Sequence, residues 1–350
     1  MGTLKLVVLC TCLVFVLASS VDADGSKLGP PLQLDYYNES CPMVDKIVEE
    51  TLLYYYNQDP TTPAPLLRLF FHDCFVQGCD ASVLLNSTTS NTAEKDAATN
   101  FSLKKFFVID DIKEQLEEEC PGTVSCADVL ALLAVYSVKQ AGGPLYNIEL
   151  GRRDALTSYG ASAPIFLPAY SLNVSGLIEN FAYIGLDLMD VVTLSGGHTI
   201  GQAHCQSFQD RIYPKIDPVY PLNYSEELYT ACSDGGAIKS PPFDPYVQAF
   251  QDPITPLIFD NQYFKNIETG YGLFTSDLGL YTDPRSKELV ETYANNQSYF
   301  FQEFGISLTK MGRANVLTGT QGQIRTQCWV TNPDNQDPAF DPISYSFTDN

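Results

Sequence analysis

A mainly α fold is what this sequence predicts, and three features predict it. Apolar residues recur at helical spacing in successive windows, alternating strand-like patterns are scarce, and no unit repeats at a fixed period. Val44, Ile47, Val48, Leu52 and Tyr55 share one face after Pro42, which predicts a helix over 43–57. Pro63 and Pro65 open a second helix through Phe75, because proline is tolerated in a first helical turn. Val108, Ile109, Ile112 and Leu116 predict a third over 104–119. A fourth spans 126–140, capped by Ser125 with Asp128 three positions on, and Gly142-Gly143-Pro144 stops it. Further helices start near Leu172 and Asp187. Residues 212–263 are rich in Pro, Tyr and Asp and read as long loops, after which 286–294 and 297–311 return to helix.

Of 350 residues, 45% are hydrophobic and 18% charged, a balance that excludes disorder and collagen-like sequence. Length alone leaves room for one large domain or two ordinary ones. Asp and Glu number 42 against 20 Lys and Arg, for a net charge of −22 and a pI near 4.3. Such a field repels phosphate backbones and anionic lipid, which argues against nucleic acid and membrane partners. Glu117, Glu118 and Glu119 read as a solvated helix face rather than a metal site.

Residues 1–23 have the layout of a secretory signal peptide: Lys5, an apolar run from Leu6 to Ala18, then small residues. A signal anchor is the competing reading, disfavoured by the short apolar run. Export leaves eight cysteines, Cys41, Cys74, Cys79, Cys120, Cys126, Cys205, Cys232 and Cys328, and an oxidising compartment favours four disulfides over a thiolate metal site. Spacing does not choose among the roughly 105 pairings. Sequons occur at Asn38, Asn86, Asn100, Asn173, Asn223 and Asn296. Residues 329–350 carry four Asp and no Lys or Arg and read as a flexible acidic tail.

Three constellations carry chemistry. Arg68, Phe71, His72 and Phe75 fall at i, i+3, i+4 and i+7, so a cation, an aromatic wall and an imidazole share one helix face. That suits a dry site in which histidine moves a proton, arginine stabilises negative charge and Phe71 excludes solvent; taken alone, the cluster fits equally a histidine hydrogen-bonded in the core beside a snorkelling arginine. Leu194-Ser195-Gly196-Gly197-His198-Thr199-Ile200-Gly201 places glycines beside a histidine, where something large can approach the backbone; a metal or cofactor ligand competes there with a plain helix end. Two oxygen-rich loops offer a donor mix that suits calcium, Asp73, Asp80 and Ser82 with the Val76 and Gly78 carbonyls, and Asp252, Thr255 and Asp260 with Thr199 and the Ile258 carbonyl; neither has the EF-hand spacing, and by spacing alone ordinary turn chemistry is the stronger reading.

Five motifs in order, Arg68-Leu-Phe-Phe-His72-Asp-Cys-Phe-Val-Gln-Gly-Cys-Asp80-Ala-Ser82, Val124-Ser-Cys-Ala-Asp128, Leu150-Gly-Arg152-Arg-Asp, Leu194-Ser-Gly-Gly-His198-Thr-Ile-Gly and Phe259-Asp260-Asn, resemble the secretory plant haem peroxidases, class III. The resemblance runs from about Gln33 to Cys328. It implies a two-lobed helical fold with one haem b and two calcium ions per chain, the two oxygen-rich loops holding the ions. The distal lobe would span about 33–160 and the proximal lobe about 161–328, within a single domain, 24–328, with haem between the lobes.

By the same resemblance His198 is the axial haem ligand and Asp277 its hydrogen-bond partner. His72 and Arg68 cleave hydrogen peroxide, Asn100 orients His72, and the Pro168 carbonyl holds a donor's hydroxyl. That role makes the Asn100 sequon a false positive. The disulfides become Cys41–Cys120, Cys74–Cys79, Cys126–Cys328 and Cys205–Cys232, and Asp128 pairs with Arg152. The implied enzyme is a secreted monomer, of the cell wall or vacuole, reducing hydrogen peroxide while oxidising small phenolic donors in one-electron steps. Phenolic cross-linking, peroxide removal and the oxidative stress response are the implied processes.

Ala98 and Ser207 stand where members of that family carry aromatics around the donor channel, and Tyr146 stands where tryptophan is frequent. Trp329 reads as packing or tail, and His204 as a surface residue beside Cys205. Three alternatives are weaker. An intracellular ascorbate-type relative lacks the signal peptide and eight cysteines. A non-enzymatic haem- and calcium-binding wall protein would be expected to lose Arg68, His72 or His198. A zinc hydrolase needs a third close ligand.

Overall fold

The structure, a computed structural model, describes residues 31–233 and 246–333. The expected signal peptide and the tail beyond 333 lie outside these residues. Val44–Gln58 (α1), Pro63–Val76 (α2), Phe106–Glu119 (α3) and Cys126–Gln140 (α4) form the first helical group, close to the ranges the spacing predicts. Every residue of α4 from Cys126 to Val138 is buried, as a helix apolar nearly all round requires. α1 and α2 pack on α4, and α3 packs on α1 and α4. Ser125 Oγ accepts from the Asp128 N–H at 3.0 Å, a cap of the kind that contributes about 1 kcal/mol.

The second group comprises Ala163–Phe166 (α5), Val174–Ala182 (α6), Leu188–Ser195 (α7), Gln209–Ile212 (α8), Leu222–Cys232 (α9), Gln262–Glu268 (α10), Thr275–Thr282 (α11), Lys287–Asn295 (α12) and Gln297–Met311 (α13). Asn173 Oδ1 caps α6, and Asp187 with Asp190 forms a reciprocal capping box on α7. α10, α11 and α12 pack on one another, and α13 packs on α7.

The structure corrects the reading of 212–263 as loops. α9 lies within it, and Gln248–Phe250 (β2) pairs antiparallel with Gln202–His204 (β1). Likewise α10 and α11 precede the helical return expected at 286. These helices are short, and short helices draw their stability from packing, which local periodicity does not reveal. α9 is held by Cys205–Cys232 at its end and by ring contacts of Tyr224 with Tyr220 and Tyr271. Glu118 and Glu119 are exposed as expected. Glu117 instead accepts from buried Lys113 at 2.5 Å and from the Gly122 N–H.

One buried apolar cluster runs from Tyr37 to Cys328 through both groups. The four disulfides join Cys41 to Cys120, Cys74 to Cys79, Cys126 to Cys328 and Cys205 to Cys232. Cys126–Cys328 ties α4 to the last described segment. Arg152 donates to Asp128 at 2.8 Å, both buried, and clamps the Gly312 carbonyl at the end of α13. No helix among the described residues is long and apolar enough to cross a membrane.

Candidate active site

α2 delivers three of its four expected residues to one cavity. Arg68, Phe71 and His72 line it, whereas Phe75 turns into the core, stacked on Phe71 at 4.2 Å and edge-on to Phe181 at 4.8 Å. His72 Nδ1 lies 2.7 Å from Asn100 Oδ1, and Asn100 Nδ2 donates to the Glu94 carbonyl at 2.8 Å. With both polar ends engaged and its side chain buried, Asn100 is withdrawn from glycosylation. The amide oxygen can only accept, so Nδ1 carries the proton and Nε2 is the basic nitrogen. Arg68 Nε donates to that Nε2 at 3.0 Å while its Nη1 donates to Ser102 Oγ at 2.9 Å.

Burial and the Arg68 charge hold the His72 imidazole well below its usual pKa, against the opposing Asn100 bond. Burial also lowers the Arg68 guanidinium to about 10, still protonated at neutral pH. A neutral base beside a fixed cation is an arrangement for moving a proton while stabilising an anion.

His198 follows α7 directly, in the turn Gly196–Thr199. Its Nδ1 lies 2.8 Å from Asp277 Oδ1, an atom that also accepts from Tyr263 Oη at 2.9 Å, while Asp277 Oδ2 accepts from the Phe274 N–H at 2.8 Å. Asp277 is buried on α11 and so held from three sides. The bond occupies Nδ1 and leaves Nε2 for a ligand, the pattern by which a buried carboxylate makes a coordinating imidazole more basic. A Cβ on Gly196 would come within 2.6 Å of the Phe300 ring, so the turn passes only as glycine.

One cavity, with a volume of about 430 Å³, is lined both by Arg68, Phe71 and His72 of α2 and by Gly197, His198 and Phe274. The nearest atom to a Cβ built on Gly197 is 3.9 Å away, so the space beside the turn is open. A cavity lined largely by apolar side chains, with two imidazoles among them, fits an aromatic cofactor such as haem. Pro168, Ala98 and Ser207 also line it, and Tyr146 lies elsewhere, against Gly305.

The first oxygen-rich loop is brought together in the interior. Asp73, Asp80 and Ser82 are buried; Asp73 Oδ2 accepts from the Ala81 N–H and Asp80 Oδ1 from the Ser82 N–H. Asp73 Oδ1 and Ser82 Oγ have no partner, nor has either carboxylate oxygen of buried Glu94, a residue the sequence reading missed. Burial, then the Asp80 charge, pushes Asp73 well above its usual range, and burial pushes Glu94 to about 7. Buried, unpartnered hard oxygens are costly without a cation, so this donor set fits calcium.

In the second loop Thr199 Oγ1 donates to Asp260 Oδ1 at 3.1 Å and Thr255 Oγ1 donates to Asp252 Oδ2 at 3.1 Å. Residues 199 and 252–260 therefore converge. Among the described residues no group of three or more His, Cys, Asp or Glu forms a metal site, so an ion in either loop would need hydroxyl or carbonyl oxygens as well.

His204 departs from expectation: it lines the cavity and contacts Gln248. Nothing local in the sequence marks this, since strand pairing places it. Trp329 is half-buried, its carbonyl accepting from the Asn86 N–H at 3.0 Å.

The peroxidase family model matches residues 48–296. Peroxidase 41 of Arabidopsis thaliana is 42% identical over 317 residues, covering 90% of this chain and 95% of its own. Peroxidase 63 of the same plant is 44% identical over 303 residues, 86% of this chain and 90% of its own. Cationic peroxidase SPC4 of Sorghum bicolor is 43% identical over 319 residues, 89% and 86% respectively. With the two histidines lining one cavity in a helical fold that carries four disulfides, the chain belongs to the plant peroxidase family, class III, and is a haem peroxidase, an oxidoreductase acting on hydrogen peroxide.

Proposed function

We propose that this chain is an exported haem peroxidase that oxidises small phenols, with one haem b held by His198 Nε2 and two calcium ions in the oxygen-rich loops. The observation that carries the reading is the neutral His72 with its Nε2 turned to Arg68 at 3.0 Å. Residues 24–328 act as one domain with the cofactor between distal and proximal lobes.

Haem, when bound, supplies the redox centre that takes two oxidising equivalents from peroxide and passes them on singly. His72 Nε2 takes the proton from the near oxygen of hydrogen peroxide and returns it to the far oxygen, which leaves as water. The Arg68 guanidinium stabilises negative charge on the departing oxygen, and Phe71 keeps bulk water from the proton. Asn100 holds Nδ1–H so that Nε2 stays basic. Asp277 strengthens His198 as a donor ligand. The Pro168 carbonyl accepts the hydroxyl of a phenol at the cavity edge. The sum is hydrogen peroxide and two phenols giving two waters and two phenoxyl radicals.

Asp73, Asp80 and Ser82 with the Val76 and Gly78 carbonyls would hold one calcium ion, and Thr199, Asp252, Thr255 and Asp260 with the Ile258 carbonyl the other. The N-terminal segment and disulfides support export, after which the chain would act as a monomer in wall or vacuole.

The test is the absorption spectrum of the purified protein. A haem band that shifts on adding peroxide and returns on adding a phenol is expected. A haem-loaded protein that ignores peroxide would leave only a binding scaffold.

A further inference from the structure

The β1–β2 ribbon forms one wall of the cavity mouth. Its register pairs His204 with Gln248 and Gln202 with Phe250. The two-residue period of a strand turns these four side chains to one face, and all four line the cavity. At the same mouth stand Phe101, 60% exposed, and Lys104. The Phe101 ring lies 5.6 Å from the His204 ring. Gln248 joins the two sides: its Nε2 lies 2.7 Å from His204 Nε2, and its Oε1 accepts from Lys104 Nζ at 3.4 Å.

Charge sets this rim apart. The chain carries −22, yet Lys104, Lys105 and Arg68 gather here. Burial, then the charge of Lys105, lowers the Lys104 pKa, and Asp59 is the one acid acting the other way. Asp59 is committed to Lys105 Nζ at 2.9 Å and to Thr61 Oγ1. Lys104 makes no ion pair among the described residues, and one 3.4 Å contact does not use its three N–H donors.

We propose that Lys104, with Gln248 and His204 beside it, forms a carboxylate-binding station at the cavity mouth. The occupant suited to the flanking Phe101 and Phe250 rings is an anionic aromatic donor of the hydroxycinnamate type. This rests on the phenol-oxidising reading above. Haem brings carboxylates of its own, which satisfy the same chemistry. Ala98 and Ser207 offer no further ring to stack on, so the charge at the rim adds to the contact with Phe101 and Phe250 in selecting the donor.

The test compares wild type, Lys104→Met and Lys104→Arg as haem-loaded enzymes. Donors are a hydroxycinnamate and its uncharged alcohol, with transfer of haem to an apoglobin measured separately. A station for the donor raises KM for the acid about ten-fold in Lys104→Met, leaves the alcohol and haem transfer unchanged, and recovers in Lys104→Arg. A station for the cofactor's carboxylates instead speeds haem transfer about ten-fold with the acid-to-alcohol ratio unchanged. If Lys104→Met alters neither, the station does not exist. Should wild type oxidise neither donor with peroxide, the phenol reading fails, and haem transfer alone decides the station.

Discussion

His72 Nδ1 stands 2.7 Å from Asn100 Oδ1, and Asn100 is fixed in turn by the Glu94 carbonyl. The imidazole that would move peroxide's proton thus takes its tautomer from a backbone atom two bonds of the network away. Asn100→Val removes the acceptor while keeping volume. The reaction with peroxide should slow by about 10- to 100-fold, the usual cost of losing such an orienting partner, with haem content unchanged. Stopped-flow mixing measures it, and a wild-type rate would show that His72 needs no orientation.

The two histidines separate by position. His72→Ala should keep haem but slow the peroxide reaction by at least about 10²- to 10⁴-fold, the range for a lost general acid–base group. His198→Ala should bind haem poorly or show altered coordination before any peroxide is added. Haem content, resting spectrum and peroxide rate decide both. A near-normal rate in the first variant, or an unchanged resting spectrum in the second, removes the respective role.

Much of this site was legible in the sequence because it is local. Arg68, Phe71 and His72 share a helix whose start the prolines mark, and Gly196-Gly197-His198 is one continuous turn. What required the fold was long-range: Asp277 meets His198 across 79 positions, and only the family resemblance brought that pair together beforehand. No resemblance drawn from the motifs led to Glu94, whose importance is that its carboxylate is buried without a partner, or to His204, which strand pairing turns into the cavity. The helices α9 to α11 escaped for a related reason, since contacts rather than periodicity stabilise them.

At the cavity mouth, burial raises the Asp59 carboxyl, but Thr61 and Lys105 outweigh it and bring the pKa to about 2. A carboxyl depressed on folding stabilises the native state above its unfolded pKa of about 3.9, and that contribution is lost as pH falls towards 2. The side chain is 41% exposed, so the effect is small, below about 1 kcal/mol. Asp59→Asn should lower the melting temperature slightly at pH 6 and progressively less below pH 4. A deficit independent of pH would assign the loss to packing.

The charge of −22 bears on what the protein would bind if exported to a cell wall. Acidic polysaccharide and an acidic protein repel within a Debye length of about 10 Å at 0.1 M salt. The protein should pass through a pectate column at low salt without calcium. Retention there would mean that a local basic patch overrides the net charge.

Both oxygen-rich loops reach the two cavity histidines through short links. Thr199 adjoins His198, and its hydroxyl donates to Asp260. Asp73 adjoins His72, while Glu94 has an unpartnered carboxylate in the first loop's interior and a carbonyl that holds Asn100. Without a cation, the buried Asp73 and Glu94 carboxyls shift towards their protonated forms, as their raised pKa values indicate. Ions bound only by the native state add stability that depends on their concentration, so strong chelation should lower the melting temperature and alter the haem spectrum, with recovery on returning calcium. Replacing Glu94 by Gln removes a charge but keeps the carbonyl, so it should weaken calcium retention while leaving the peroxide rate near normal in excess calcium. Metal analysis before and after chelation makes the result decisive: if calcium leaves and neither the spectrum nor the melting temperature moves, the loops do not support the histidines.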